Sequence, residues 1–271
     1  MKKLKIAITG CMGKMGLELI KSASKNKNIE IVALTEDKVV KKNKIGNIII
    51  KKNSVEAFKN ASIIIDFTTP LCTIEVLKIA KKLKKKIVIG TTGFNSKQEK
   101  FIKNISKNIA ILKAGNMSFG VNLLVYITEL VSKSLDKNFL SRVLDEHHKY
   151  KKIFPSGTAI MLGEAIAKGK SKTLDKLMGK KITKKTNVFN HVRNNKKYFL
   201  PTKNKINFLS TKSGEAIGNH SVIMTNKKET LNLMHEAHDR SLYSEGAIKA
   251  ALWLKTKKAG LYSMRDVLKL G

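Results

Sequence analysis

Two adjacent imidazoles, a cluster of amines and a helix start fall between Glu146 and Ala159. Imidazole titrates near neutral pH, so a stretch with two of them can hold a proton donor. Pro155 cannot continue a helix from upstream, and Ser156 is a good N-cap for the apolar run that begins at Ala159. The helix does not itself use the first-turn N–H groups of Gly157 and Thr158, so they can face an anion. Gly157 has no side chain to hold that anion away. Lys151 lies just upstream. The stretch reads as a carboxylate clamp beside a proton donor. The competing reading is a solvated basic loop that ends in an ordinary cap, and the rest of the chain has to decide between them.

A second stretch with chemical content opens the chain. Leu4 to Thr9 is a short apolar run that leads into Gly10-Cys11-Met12-Gly13-Lys14-Met15-Gly16. Met15, Leu17, Leu19 and Ile20 then suggest a helix lying on a sheet. Strand, glycine-rich turn and helix form the entry to a dinucleotide-binding βαβ unit. The glycines fall as G-x-x-G-x-x-G, whereas the usual G-x-G-x-x-G would place one at Met12. Ile29 to Leu34 forms a second apolar strand, and Glu36 follows about twenty residues after the loop, where an acid can hydrogen-bond a ribose hydroxyl. Glu36 could instead be a polar residue ending a strand. Its distance from the glycine turn favours cofactor binding.

These residues need a scaffold, and the chain supplies a regular one. Ile63 to Phe67 ends in Thr68-Thr69-Pro70 before a helical run to Lys86. Ile87 to Ile89 ends in Gly90-Thr91-Thr92-Gly93, and Ile109 to Lys113 ends in Ala114-Gly115-Asn116-Met117. Alternating strands and helices predict an α/β fold, a Rossmann-like doubly wound parallel sheet, with ligands at the carboxyl ends of its strands. The pattern changes after Ser118. A helix over 121–134, a strand over 140–144, the helix from Ser156 and strands over 206–209, 221–224 and 230–235 predict a second α+β domain with a mixed sheet. The lysine-rich stretch 170–205 reads as irregular, with short strands. A helix over 244–257 is expected to pack back on the first domain. The domains are then 1–118 with 241–271 for the dinucleotide, and 119–240 for the substrate.

Composition narrows the function class. The formal charge is +34, which by itself suggests nucleic acid. Arginine, the usual reader of bases and phosphates, occurs only at Arg142, Arg193, Arg240 and Arg265, and the lysines are spread along the whole chain. This is a compositional bias rather than a placed stripe, and no specific nucleic-acid partner is expected. Lysine runs such as Lys84-Lys85-Lys86 read as solvated surface. No apolar run reaches the length of a membrane span and no signal peptide is evident, so no membrane association and a cytoplasmic location are expected. Cys11 and Cys72 form neither a disulfide framework nor a metal-ligand spacing, and no metal is expected.

Taken together, these motifs resemble the 4-hydroxy-tetrahydrodipicolinate reductase (dihydrodipicolinate reductase) family of the diaminopimelate route to lysine. The matching pieces are the turn Gly10 to Gly16, Asp66-Phe67-Thr68 with Pro70, and Gly90 to Phe94. They continue with Asn116-Met117-Ser118, His147-His148 with Lys151, Pro155 to Ala159, and the tail segments Ala250 to Leu254 and Met264 to Leu268. The resemblance implies reduction of a cyclic dicarboxylate by NADH or NADPH. It implies His147 as proton donor, Lys151 as a second donor, and His148, Ser156, Gly157 and Thr158 as substrate contacts. The implied cofactor contacts are Gly10, Cys11, Met12, Gly13, Lys14, Met15, Glu36, Asp37, Phe67, Gly90, Thr91, Thr92, Ala114, Gly115, Asn116 and Met117. A homotetramer joined through the second domain is also implied. Two departures stand out. Some members carry arginine directly after the acid, where this chain has Asp37. The Lys152-Ile153-Phe154 segment is less polar than expected. Another nicotinamide-dependent reductase of a small carboxylic acid is the alternative activity.

Overall fold

The computed structural model describes residues 3–38, 43–184, 204–212 and 214–270. It divides into two compact units, Met1–Phe119 with Ser241–Gly271, and Gly120–Arg240.

The first unit opens with β1 (Leu4–Thr9), α1 (Lys14–Ser24) and β2 (Ile29–Glu36). A small hairpin follows, β3 (Lys44–Ile45) with β4 (Ile48–Lys52), then α2 (Val55–Phe58), β5 (Ile63–Asp66) and α3 (Pro70–Lys82). The unit continues through β6 (Lys86–Ile89), α4 (Ser96–Ile105), β7 (Ala110–Lys113) and the start of α5 (Phe119–Ser134). The central strands β1, β2, β5, β6 and β7 run parallel, as the alternating pattern predicts. Apolar residues such as Ile6, Ile8, Leu34, Ile64, Val88 and Ile111 fill their buried positions, because helices cover both faces of the sheet. One layer of core gathers Ile6, Ile8, Leu19 and Leu112, and the other gathers Ile64, Val76, Leu77, Ile87 and Ile102.

The second unit holds the rest of α5, then β8 (Leu140–His147), α6 (Gly157–Gly169), α7 (Leu174–Leu177) and β9 (Met178–Lys184). It ends with β10 (Ile206–Lys212), β11 (Asn219–Thr225) and β12 (Thr230–His235). Its sheet has the order β12-β11-β8-β10-β9 among the described residues. β10 is parallel to β8 and β9, and β11 is antiparallel to β8 and β12, so the sheet is mixed. α6 lies close on this sheet: a Cβ at Gly163 would fall 2.5 Å from the Phe208 ring.

The chain then returns to the first unit as α8 (Ser241–Leu254), β13 (Gly260–Tyr262) and α9 (Met264–Val267). The Ser22 and Ser244 hydroxyls lie 2.7 Å apart, tying α8 to α1. Gly246 is where α8 meets the segment after β7. A Cβ there would stand 1.9 Å from the Met117 carbonyl oxygen, so only glycine admits this approach. β13 adds an eighth strand beside β7, which its three-residue pattern does not announce.

One expectation is met only in part. The beginning of the lysine-rich stretch 170–205 is regular: it forms α7 and then β9, which pairs in parallel with β10. Long-range pairing overrides a weak local signal here, and lysines suit a strand that is at the sheet edge among the described residues. Residues 185–203 of that stretch lie outside the described residues.

Candidate functional site

In the first unit the sequence-predicted residues gather at the carboxyl ends of β1, β2, β5, β6 and β7, which parallel strands place along one edge of the sheet. Gly10 has φ +61°. A side chain there would be strained and would meet the Thr68 methyl at 2.7 Å. The Gly13 N–H donates to the Gly10 carbonyl at 3.0 Å and the Cys11 N–H to Thr35 at 3.2 Å, folding the loop back on the strands. At Gly16, a Cβ would come 2.2 Å from the Gly10 carbonyl, so this third glycine lets α1 press against the loop. Gly13 caps α1 without a side-chain hydrogen bond, and the first turn carries no acid, so the start of α1 suits an anion. Lys14 is exposed and Met15 half-buried.

Glu36 sits against this loop. Its Oε1 accepts the Met12 N–H at 2.6 Å, which fixes the loop to the end of β2. Burial, with Glu36 beside it, pushes the Cys11 thiol up to about 11, so the sulfur is a packing element and not a nucleophile. Asp37 is exposed. At the next strand ends, the Phe67 ring lies over Gly90, where a Cβ would stand 2.1 Å from it. The buried Thr91 hydroxyl accepts the Thr68 N–H at 3.0 Å, while Thr92 is exposed. Ala114 and Met117 are buried, and their Gly115-Asn116 link is held by the Ser118 N–H donating to Asn116 Oδ1 at 2.8 Å. A dinucleotide fits this edge: it combines a glycine cradle, a helix start without acids, and a carboxylate at the second strand.

In the second unit the opening stretch folds as expected around Ser156. Ser156 is the N-cap of α6, and its Oγ accepts the Ala159 N–H at 3.1 Å. A Cβ on Gly157 would meet nothing within 4 Å, so its surface lies open. His147 ends β8 and is buried, while His148 is half-buried with its ring 6.2 Å from that of Tyr150. Lys151 is half-buried, and its N–H closes a turn onto the His148 carbonyl at 3.1 Å. Burial pushes the Lys151 amine below its ordinary value and Arg240 adds to this, against the opposing pull of Asp145. The unexpected Phe154 has a local role: its ring packs edge-on against His147, centroids 6.0 Å apart, and the Lys212 amine lies over the same ring, 5.3 Å from its centroid.

Asp145 and His220 complete the cluster. Asp145 Oδ2 accepts the Ser156 N–H at 2.9 Å and lies 3.4 Å from His147 Nε2, within ion-pair range but out of line for a hydrogen bond. Burial would raise the Asp145 carboxyl, but contacts with His147, Ser210 and Ser156 outweigh it and hold the group below the usual range. His220 stands edge-on to His147, centroids 5.3 Å apart, with Nε2 3.1 Å from Ser156 Oγ. Burial, reinforced by His147, pushes the His220 imidazole down to about 3, so it is neutral near pH 7. Asp145, His147 and His220 could offer ligand atoms within 4.8 Å of one another. The Ser156 contacts already occupy part of that set and the Lys151 amine adds positive charge nearby, so the cluster suits proton chemistry better than a cation.

Residues 4–117 match the family model for the N-terminus of dihydrodipicolinate reductase, and residues 120–268 match the model for its C-terminus. The chain belongs to the dihydrodipicolinate reductase family. The 4-hydroxy-tetrahydrodipicolinate reductase of Pelagibacter ubique (strain HTCC1062) is 56% identical over 99% of both chains. The enzyme of that name from Buchnera aphidicola subsp. Cinara cedri is 38% identical over 98% of this chain and 97% of its own. Among solved structures, dipicolinate-bound dihydrodipicolinate reductase from Paenisporosarcina sp. TG-14 shares the fold. Its TM-score is 0.77 at 20% identity, covering 97% of this chain and 99% of that one.

Reading motifs alone misses Asp145 and His220 within the family scaffold. Asp145 is masked because it stands beside Glu146 in a strand of mixed polarity, and only its proximity to the two histidines hints at a role. His220 lies far along the chain from His147 and reaches it only through the antiparallel pairing of β11 with β8. Gly218, two residues before it, packs tightly here: a Cβ there would stand 3.2 Å from the His147 ring and 3.4 Å from that of His220.

The depressed His220 fixes a pH dependence. Unfolded, this imidazole binds a proton near 6.5; folded, it does so only near 3. Between those values the unfolded state holds the extra proton, so stability falls as pH drops, by about 1.4 kcal/mol per pH unit from this group. Urea unfolding from pH 6.5 to 4.5 should show a shallower loss in His220→Gln than in the wild type, by about one proton. Equal slopes would show that His220 protonates in the fold.

Proposed function

We propose that the chain reduces 4-hydroxy-tetrahydrodipicolinate to tetrahydrodipicolinate with NADH or NADPH, in the diaminopimelate route to lysine. The full-length match to a reductase of that name carries the reading. The reaction consumes the reduced nicotinamide and a proton and releases water. The unit of Met1–Phe119 with Ser241–Gly271 is the dinucleotide-binding domain, and Gly120–Arg240 binds substrate and forms the oligomer.

Each proposed role follows from a local property. The Gly10 to Met15 loop and the start of α1 hold the pyrophosphate. The second oxygen of Glu36 serves the ribose while the first keeps the loop in place, and Asp37 lies beside it. Phe67, Gly90 to Thr92 and Ala114 to Met117 line the nicotinamide end. Bound NADH or NADPH supplies the hydride. A hydride added to a conjugated carbon leaves charge that a positioned acid must quench. His147 gives that proton, and Lys151 assists as a second donor. Ser156, Gly157 and Thr158 take a substrate carboxylate at the start of α6, and His148 contacts the substrate.

No helix among the described residues is long and apolar enough to cross a membrane. We place the enzyme in the cytoplasm as a homotetramer without a specific nucleic-acid partner. Met234, exposed on β12 on the face opposite Leu233, is an apolar side chain that assembly could cover.

A coupled assay with freshly generated substrate, following loss of reduced nicotinamide absorbance, tests the activity. His147→Gln and Lys151→Ala should each lower kcat at least about a hundredfold with cofactor affinity nearly intact. Gly157→Ala should raise the substrate KM while leaving thermal stability unchanged, because the added methyl meets only substrate. Near-full turnover in both of the first two variants would remove their assigned roles.

The same assay decides the cofactor. Asp37 adds a carboxylate directly after Glu36, the acid assigned to the ribose, and an extra carboxylate there would repel the 2′-phosphate of NADPH. NADH should be used at least as well as NADPH at equal salt. A strong NADPH preference would contradict this and point to the neighbouring Lys38.

A further inference from the structure

We propose that Asp145 is a positioning residue that couples the proton donor to the carboxylate clamp. The inference rests on the reductase reading for its kinetics, but its structural part can be tested without substrate. One buried carboxylate faces two functional groups. Its Oδ2 accepts the Ser156 N–H at 2.9 Å, which fixes the residue that caps α6, and lies 3.4 Å from His147 Nε2. The side chain is 1% exposed, so water cannot replace either partner.

The surroundings make this coupling specific. Ser156 Oγ joins the Ala159 N–H to His220 Nε2, so the same serine links α6 to β11. His220 stays neutral and adds no positive charge against His147. Gly218 closes on the His147 ring from one side and Phe154 packs edge-on to it. The charged groups around this imidazole are Asp145 on its own strand, Lys151 on the following turn and Lys212 on β10, with Arg240 close to Lys151. Only Asp145 among these is anionic, so only it favours the protonated ring. The imidazole and the helix start proposed to take the substrate carboxylate are therefore positioned by one side chain.

Asp145→Asn separates the two functions. The amide oxygen can still accept the Ser156 N–H, but the charge facing His147 is gone. We expect kcat to fall about tenfold or more, with the substrate KM within about threefold of wild type and the pH profile of kcat displaced to lower pH. Asp145→Ala should add a rise in KM, because the α6 cap loses its anchor. Independently of substrate, the His147 ring should titrate at lower pH in Asp145→Asn by NMR, with the resonance assigned by its loss in His147→Gln. An unchanged NMR titration would overturn the proposal. A wild type that reduces no substrate, while Asp145→Asn shifts the NMR titration as expected, would overturn the reductase reading instead.

Discussion

The end of β5 holds a carboxyl group that water does not reach. Asp66 is fully buried and accepts hydroxyl hydrogens from Thr9 and Thr68 at 2.6 Å each, and from Thr73. Thr91 stands at 3.5 Å and also pairs with Thr73 at 3.0 Å. These threonines come from β1, the turn after β5, α3 and the turn after β6. A buried polar group must find partners inside the protein. Meeting that requirement at Asp66 ties together strand ends whose loops would otherwise be free to separate. The Gly10 approach to Thr68 and the Phe67 ring over Gly90 depend on those ends staying together.

The second unit repeats the device with a different outcome. Asp145 also lies near the end of a strand and is also enclosed, but its partners include an imidazole and a backbone N–H. At Asp66 burial outweighs the hydroxyl donors, and the carboxyl rises above its ordinary range. At Asp145 the donors outweigh burial, and the carboxyl falls below it. Hydroxyls serve either protonation state, so Asp66 acts as a structural knot. A neighbour that itself gains a proton rewards the charged form, so Asp145 acts on chemistry.

Much of this was legible in the residues. Apolar runs that each end in Gly, Thr or Ser announce parallel strands with their binding edge, and the Pro155-Ser156-Gly157 order announces the start of α6. The strand β9 was hidden because lysine-rich sequence carries little periodicity, and its partner β10 begins beyond residue 200. The binding edge showed its glycines but not their reasons: Gly16 and Gly246 are required by backbone oxygens from other segments. In the second unit, His147 and Ser156 are close in sequence and could be paired on sight. His220 could not, since only the register of β11 on β8 sets Asp145 opposite it.

The central claim is that a nicotinamide hydride is delivered to carbon on a cyclic diacid while the histidine site supplies the proton. Mass spectrometry of product formed from freshly generated substrate and NADH deuterated at both C4 positions tests it most directly. One carbon-bound deuterium per product molecule, matched to one cofactor oxidised, is the predicted result. Cofactor oxidised without deuterium in the product, or no oxidation at all, would contradict it.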